Sequence, residues 1–134
     1  MNSNNTKSTQ LFDSQMITNS FNILKSKLNQ NHRTILIGCM GKMRIGKSTL
    51  LNNLINIKSG NEGTKTIYFK EESSMATVTY GAEFYILSDT YSKTDYVFID
   101  CEGSGNYNSN DMIKLYLLVA SISDTLVFNV DKAF

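Results

Sequence analysis

The chain of 134 residues is 41% hydrophobic and 19% charged, a composition typical of a globular domain rather than a disordered segment. Thirteen Lys and Arg against twelve Asp and Glu give a formal charge of +1, so the basic surface of a general nucleic-acid binder is not expected. Two Cys, one His, no long apolar run and no secretory signal exclude a zinc cluster, a disulfide framework and a membrane span, so we expect a soluble, cytoplasmic protein.

The first half of the chain is predicted to contain two helices and one strand. Residues 1–12 are rich in Asn, Ser and Thr and lack periodicity, which predicts a disordered tail. Apolar residues recur at helical spacing over 13–29 and again over 46–57, which predicts two amphipathic helices. The short apolar run between them, 34–40, is typical of a buried strand. The polar, glycine-containing stretch over 58–74 predicts a loop.

The second half adds three strands and a helix. Strands are predicted over 77–87, 96–100 and 125–130, and a helix over 111–122 is apolar nearly all round and is expected to be buried. Strands that alternate with helices predict an α/β domain with helices on both faces of its sheet. We expect the strand at 77–87 to run antiparallel to that at 96–100, and the spatial order to be second, third, first, fourth strand. No helix covers the last strand, so 13–134 is expected to be a partial domain.

A phosphate-binding motif joins the first strand to the following helix. Residues 41–48, GKMRIGKS, satisfy the pattern G-x-x-x-x-G-K-[ST] between a predicted strand and a predicted helix. Gly41 and Gly46 let successive backbone N–H groups point at a polyphosphate, and the helix adds its positive end. Lys47 would reach the β- and γ-phosphates, and the Ser48 hydroxyl would ligate Mg²⁺. The alternative is a plain glycine turn between strand and helix.

An acidic motif ends the strand at 96–100. Asp100 closes the run YVFID, and Cys101, Glu102 and Gly103 follow. A carboxylate at the carboxyl end of a buried strand faces the crevice where α/β sheets bind ligands, and there it can hold Mg²⁺. The Gly103 N–H could approach the γ-phosphate closely, and the alternative is an ordinary acidic turn.

The two motifs predict a P-loop NTPase fold, a three-layer α/β/α sandwich with a mostly parallel sheet, truncated after the fourth strand. The predicted nucleotide-binding residues are Gly41, Lys42, Met43, Arg44, Ile45, Gly46, Lys47, Ser48, Thr49 and Gly103.

Together the motifs resemble the GTPase domain of the guanylate-binding-protein and atlastin family of dynamin-like large GTPases. Arg44 takes the place of the P-loop arginine of that family, and Asp100, Glu102 and Gly103 match its Asp-x-Glu-Gly motif, switch II. The resemblance covers roughly residues 17–130. It implies GTP and GDP as ligands, Mg²⁺ as cofactor, Mg-dependent GTP hydrolysis, and a nucleotide-dependent homodimer through the GTPase domain of the full-length protein.

The resemblance also implies catalytic roles. Thr77 and Thr79 fit the family's switch I, where Thr79 would bind Mg²⁺. Arg44 would act as an arginine finger in cis, because its charged planar fork can bind two phosphate oxygens at once. Thr77 and Glu102 would orient the attacking water. The implied catalytic residues are Arg44, Thr77, Thr79 and Glu102, and the implied metal ligands are Ser48, Thr79 and Asp100. The alternative for Thr77 and Thr79 is that they belong to an ordinary Thr-rich edge strand. The alternative for Arg44 is that it is a solvent-exposed loop residue.

Three interpretations of the function stay open at this point. The base-specificity motif of the family would lie beyond the fourth strand, so the residues present suit GTP and ATP equally. A P-loop ATPase and a truncated, non-catalytic nucleotide-binding fragment are therefore alternatives to a GTPase, and membrane association is undetermined. Outside the motifs, His32 is expected on the surface or in a linker.

Overall fold

A computed structural model of the protein describes residues 7–12, 17–41, 47–60, 63, 66–69, 81–102 and 109–129. In chain order the elements of this part are β1 (Thr9–Phe12), α1 (Ile17–Lys27), β2 (Arg33–Gly41), α2 (Lys47–Lys58), β3 (Gly81–Asp89), β4 (Thr94–Glu102), α3 (Ser109–Ile122) and β5 (Thr125–Asn129).

One sheet holds the five described strands in the order β1-β3-β4-β2-β5. The inner strand β2 pairs in parallel with β4 and with β5, and β3 pairs antiparallel with β4 and with β1. Four of these strands therefore run in one direction, and β3 runs against them. The predicted α/β fold, the order of the four expected strands and the antiparallel pairing of β3 with β4 are confirmed.

The helices cover both faces of the sheet, because the inner strands are apolar on both faces. In β4, Val97 and Ile99 pack in the cluster that includes Leu24 of α1 and Val119 of α3. Phe98 faces the other way and packs in the cluster that contains Leu51 and Ile55 of α2. A strand buried on both faces reads as a continuous apolar run, which explains why β4 was predictable from its sequence.

The N-terminal strand β1 corrects the predicted disordered tail. Thr9 pairs with Phe84 and Gln10 with Glu83, although both N-terminal residues are polar. Strand pairing uses backbone groups, which every residue except proline can offer, so polar composition does not prevent it. Residues 1–6 of the predicted tail lie outside the described residues.

Helix α3 is less buried than its composition predicts. Val119 is fully buried, whereas Ile113 and Leu117 are 53% and 64% exposed. The buried side packs tightly at Gly38 of β2, where an added Cβ would lie 2.5 Å from Ser123 Oγ and 3.0 Å from Val119 Cγ1. The helix therefore buries one face against the sheet and leaves Ile113 and Leu117 largely exposed on the opposite face. None of the described helices combines the length and the hydrophobicity needed to cross a bilayer.

Candidate nucleotide-binding site

The two motifs meet at one edge of the sheet. Strand β2 ends at Gly41, the first residue of the phosphate-binding motif, and α2 begins at Lys47, its seventh residue. Parallel pairing places Cys39 of β2 opposite Asp100 of β4. Since both strands end at this edge, the phosphate-binding motif and the acidic motif are neighbours in space although about 50 residues separate them in the sequence.

A hydrogen bond joins the two motifs directly. The Ser48 hydroxyl in the first turn of α2 donates to Asp100 Oδ2 at 2.6 Å. Asp100 is 1% exposed and lies on the face of β4 that packs against α2. A short bond from a hydroxyl to a carboxylate is among the stronger hydrogen bonds in proteins. The first turn of α2 contains no acidic residue, so the positive end of the helix is available to an anion.

This pair fits a magnesium ion chemically. Mg²⁺ prefers oxygen ligands, and proteins usually hold it through one or two side chains while phosphate and water complete the coordination. Ser48 supplies a hydroxyl oxygen and Asp100 a carboxylate oxygen. Among the described residues, no group of three or more His, Cys, Asp or Glu is arranged to hold a metal ion.

The other predicted site residues are described only in part. Gly41 pairs with Asn129 of β5, Thr49 is half-buried in the first turn of α2, and Glu102 pairs with Gly81 at the end of the β3–β4 ladder. The remaining candidates lie outside the described residues: Lys42, Met43, Arg44, Ile45, Gly46, Thr77, Thr79 and Gly103.

Two polar residues near the site were missed by sequence reasoning. Asn52, one helical turn after Ser48, is fully buried and hydrogen-bonded to the backbone of Tyr68 and Phe69. Glu83 of β3 lies opposite Asp100 and accepts a hydrogen bond from Ser8 Oγ at 2.9 Å. For Asn52, the signal in the sequence is a polar residue at a buried position of an amphipathic helix, and this signal does not identify its hydrogen-bond partners.

A second polar cluster lies at the opposite end of the sheet, where β2 and β4 begin. His32 Nδ1 is 2.9 Å from Asp95 Oδ1, and their side chains are 9% and 0% exposed. His32 lies in the linker between α1 and β2, as predicted, and its largely buried side chain is a partner of the buried Asp95 carboxylate. This cluster is remote from the nucleotide site, since Asp95 pairs with Thr34 at the start of β2.

The family model described as 50S ribosome-binding GTPase matches residues 36–134, which is 99 of the 134 residues. The chain belongs to this GTPase family. The match begins within β2, so β1 and α1 of this GTPase precede the matched region. A search of the curated proteins finds no match. Membership of a GTPase family favours GTP over ATP, which the two motifs alone left open.

Proposed function

We propose that this chain binds GTP with Mg²⁺ and hydrolyses it. The observation that carries the proposal is the 2.6 Å hydrogen bond between Ser48 and Asp100, which joins the two motifs at one sheet edge. Backbone N–H groups of the phosphate-binding motif (residues 41–48) and the Lys47 side chain would hold the phosphates. Ser48 and Asp100 would hold the metal ion, which neutralises charge on the β- and γ-phosphates when bound.

We further propose that the GTPase is of the dynamin-like type and forms a nucleotide-dependent homodimer. The support is the resemblance of its motifs to the guanylate-binding-protein and atlastin family. In that type, Arg44 is the arginine finger in cis, and Thr77 and Glu102 orient the attacking water. Thr79 would add a ligand to Mg²⁺, and the Gly103 N–H would contact the γ-phosphate.

The β3–β4 ladder is compatible with these roles. Gly81, two residues after Thr79, pairs with Glu102 near Asp100. Two residues of chain span at most about 7 Å, which is short enough for Thr79 to serve the site around Asp100.

Calorimetric titration of the full chain with Mg-GTP and with Mg-ATP tests the proposal. We expect heat of binding with GTP and weaker binding of ATP. Ser48→Ala should weaken Mg-GTP binding by about 10-fold or more, because a hydrogen-bonding and metal-binding oxygen next to a charged group is lost. Ser121→Ala is the matched control, since Ser121 is exposed on α3 and its hydroxyl donates to the Leu118 carbonyl of the same helix.

The outcomes separate the parts of the proposal. No heat with either nucleotide overturns nucleotide binding altogether. Tighter binding of ATP than of GTP overturns the guanine preference. Equal losses in Ser48→Ala and Ser121→Ala overturn the assignment of Ser48 to the site.

A further inference from the structure

The outer edge of β3 is only partly covered by β1. Strand β3 spans Gly81–Asp89, whereas β1 pairs with it only over residues 82–84. Among the described strands, none pairs with β3 on this side over residues 85–89. In an antiparallel ladder, alternate residues point their backbone N–H and C=O groups away from the neighbouring strand, which here is β4. This part of β3 therefore offers backbone donors and acceptors to a further strand.

Strand β1 leaves this edge because the residues before it bond elsewhere. Thr9 is paired with Phe84, so a longer β1 would place Ser8 and Lys7 beside the next residues of β3. Their N–H groups instead both donate to the Tyr68 carbonyl, from Lys7 at 3.1 Å and from Ser8 at 2.7 Å. These donors are therefore not used to pair with β3, and its edge beyond Phe84 is left to another partner.

A groove of about 330 Å³ lies along this edge, and we call it the β3 edge groove. The residues that line it are Lys7, Lys27, Phe84, Tyr85, Ile86 and Ser88. Phe84 and Ile86 pack in the cluster on the α1 face of the sheet, and Tyr85 packs in the cluster on the α2 face. A strand placed in the groove would therefore meet apolar side chains on both of its faces. This arrangement fits an extended peptide, which adds a strand to an exposed sheet edge.

Two exposed lysines lie on either side of the groove. Lys27 belongs to α1, which packs on one face of the sheet, and Lys7 is bonded to Tyr68, which packs on the other. Within the described part of the chain, neither lysine forms a salt bridge. The acidic residues of β3, Glu83 and Asp89, do not line the groove. The charge of the groove is therefore positive, which favours acidic side chains in its partner.

We propose that the β3 edge groove binds an extended, acidic peptide segment of a partner protein, which adds a strand to the sheet beside β3. Backbone pairing with residues 85–88 supplies affinity. The two lysines favour acidic side chains on both faces of the added strand, since successive side chains point to opposite faces. The proposal goes beyond nucleotide binding, because no described residue of the candidate nucleotide-binding site lines the groove.

A peptide fits the groove better than two other occupants. The phosphates of a nucleic acid only accept hydrogen bonds, whereas a sheet edge presents both N–H and C=O groups, which a peptide backbone can match. A second copy of the chain, paired edge to edge by a twofold axis, would bring Lys7 and Lys27 of both copies together. Like charges at such positions are destabilising.

Fluorescence anisotropy on the full chain tests the proposal with a labelled peptide of about six residues. The peptide is β-branched except for adjacent glutamates at its centre. Two further versions carry N-methyl groups on alternate residues, one version at odd positions and the other at even positions. In an added strand, only one of these sets of N–H groups faces β3. We expect one version to bind about 10-fold or more weakly and the other within about threefold of the parent peptide.

Charge variants test the role of the lysines. Lys7→Glu and Lys27→Glu should each weaken peptide binding by about fivefold in about 0.15 M salt, because attraction is replaced by repulsion. Lys25→Glu is the matched control, since Lys25 is exposed in the same last turn of α1 as Lys27 and does not line the groove. Its effect should be less than about twofold. Hydrogen exchange should slow at alternate amides of residues 85–88 when the parent peptide binds.

The results separate this partner from the others. Equal losses for both N-methylated peptides overturn backbone pairing, and equal effects of Lys25→Glu and Lys27→Glu overturn the role of the groove lysines. Absence of peptide binding overturns the proposal, and binding that appears only after deletion of residues 2–6 assigns the groove to the N-terminal residues instead. Displacement of the labelled peptide by less single-stranded RNA than unlabelled peptide assigns it to nucleic acid. A dimer in sedimentation that the peptide dissociates assigns it to a second copy.

Discussion

At the scale of single residues, the buried polar side chains that the structure describes are hydrogen-bonded. Asn52, Asp95 and Asp100 are at most 1% exposed. Within the described residues, no buried side-chain nitrogen or oxygen lacks a hydrogen-bond partner. Unsatisfied buried groups cost about 1–3 kcal/mol each, so a substitution that leaves one of these partners unpaired should lower the free energy of unfolding.

Asp95 should make stability depend on pH in the acidic range. Burial opposes its charge, but hydrogen bonds from the Asn29 N–H, Ser88 Oγ and His32 outweigh burial and hold the pKa of Asp95 below its ordinary value of 3.8. A carboxylate whose folded pKa is depressed stabilises the fold above the unfolded pKa, and that contribution is lost as the pH falls through the folded pKa. Stability from Asp95 is therefore complete above about pH 5 and is lost progressively as the pH falls below that value.

Urea unfolding of wild type and Asp95→Asn at pH 7, 5 and 3 measures this contribution. We expect Asp95→Asn to lower the free energy of unfolding by about 1–3 kcal/mol at pH 7, with a smaller difference at pH 3. A difference that stays constant from pH 7 to pH 3 would contradict the assignment.

Arg44 is the residue on which the proposed dynamin-like mechanism depends. Arg44→Ala should leave the Kd of Mg-GTP nearly unchanged and lower the GTPase rate, and the loss for arginine fingers is on the order of 10³–10⁵-fold. Arg33→Ala is the control, because Arg33 is exposed at the far end of β2. Single-turnover GTPase assays on both variants check the prediction, and wild-type turnover in Arg44→Ala would remove Arg44 from the mechanism.

At the scale of elements, the packing of α3 on the sheet depends on Gly38. A methyl group there would meet Ser123 Oγ at 2.5 Å and Val119 Cγ1 at 3.0 Å, so the Ser123 hydroxyl, which donates to the Val119 carbonyl, would have to move. Overpacking of this kind costs about 1–3 kcal/mol, and Gly38→Ala should lower the urea midpoint accordingly. Gly63→Ala is the matched control, since an added Cβ at Gly63 meets nothing within 4 Å among the described atoms.

A second change separates steric strain from other effects of Gly38→Ala. Ser123→Ala removes the nearest clashing atom, so the double variant should recover part of the lost stability. Additive losses in the double variant would argue against a clash at Ser123.

The elements differed in how well the sequence predicted them. The strands β2 and β4 were predictable because burial on both faces requires continuous apolar runs. Strand β1 was not, since backbone pairing with β3 leaves little trace in a polar sequence such as that of Thr9 and Gln10. The exposure of Ile113 and Leu117 was also missed, because apolar residues are not confined to the interior.

At the scale of the whole molecule, the motifs predicted that Ser48 and Asp100 lie close together, and the structure places them in contact. The contact of Ser48 with Asp100 follows from the P-loop fold, since parallel strands end at a common edge. The hydrogen bonds of Asn52 with Tyr68 and Phe69 could not be predicted from the sequence, because residue spacing within α2 gives no information about a partner 16 or 17 residues away.

Nucleotide binding should stabilise the entire domain. A ligand that binds only the folded state at 100 times its Kd adds about 2.7 kcal/mol. For a chain of this length we expect the melting temperature to rise by roughly 10 °C in Mg-GTP, followed by circular dichroism. A cooperative melt that no nucleotide shifts would favour the alternative of a non-binding fragment, and Mg²⁺ without nucleotide is the control.

The pairing of β1 with β3 affects how the chain assembles during synthesis. Thr9 and its partner Phe84 are separated by 75 residues. At about 5–20 residues per second, translation delivers that partner roughly 4–15 s later. The β3–β4 hairpin, joined by a short turn, needs no such delay. We therefore expect the sheet to grow outward from the hairpin, with the first strand to leave the ribosome among the later ones to dock.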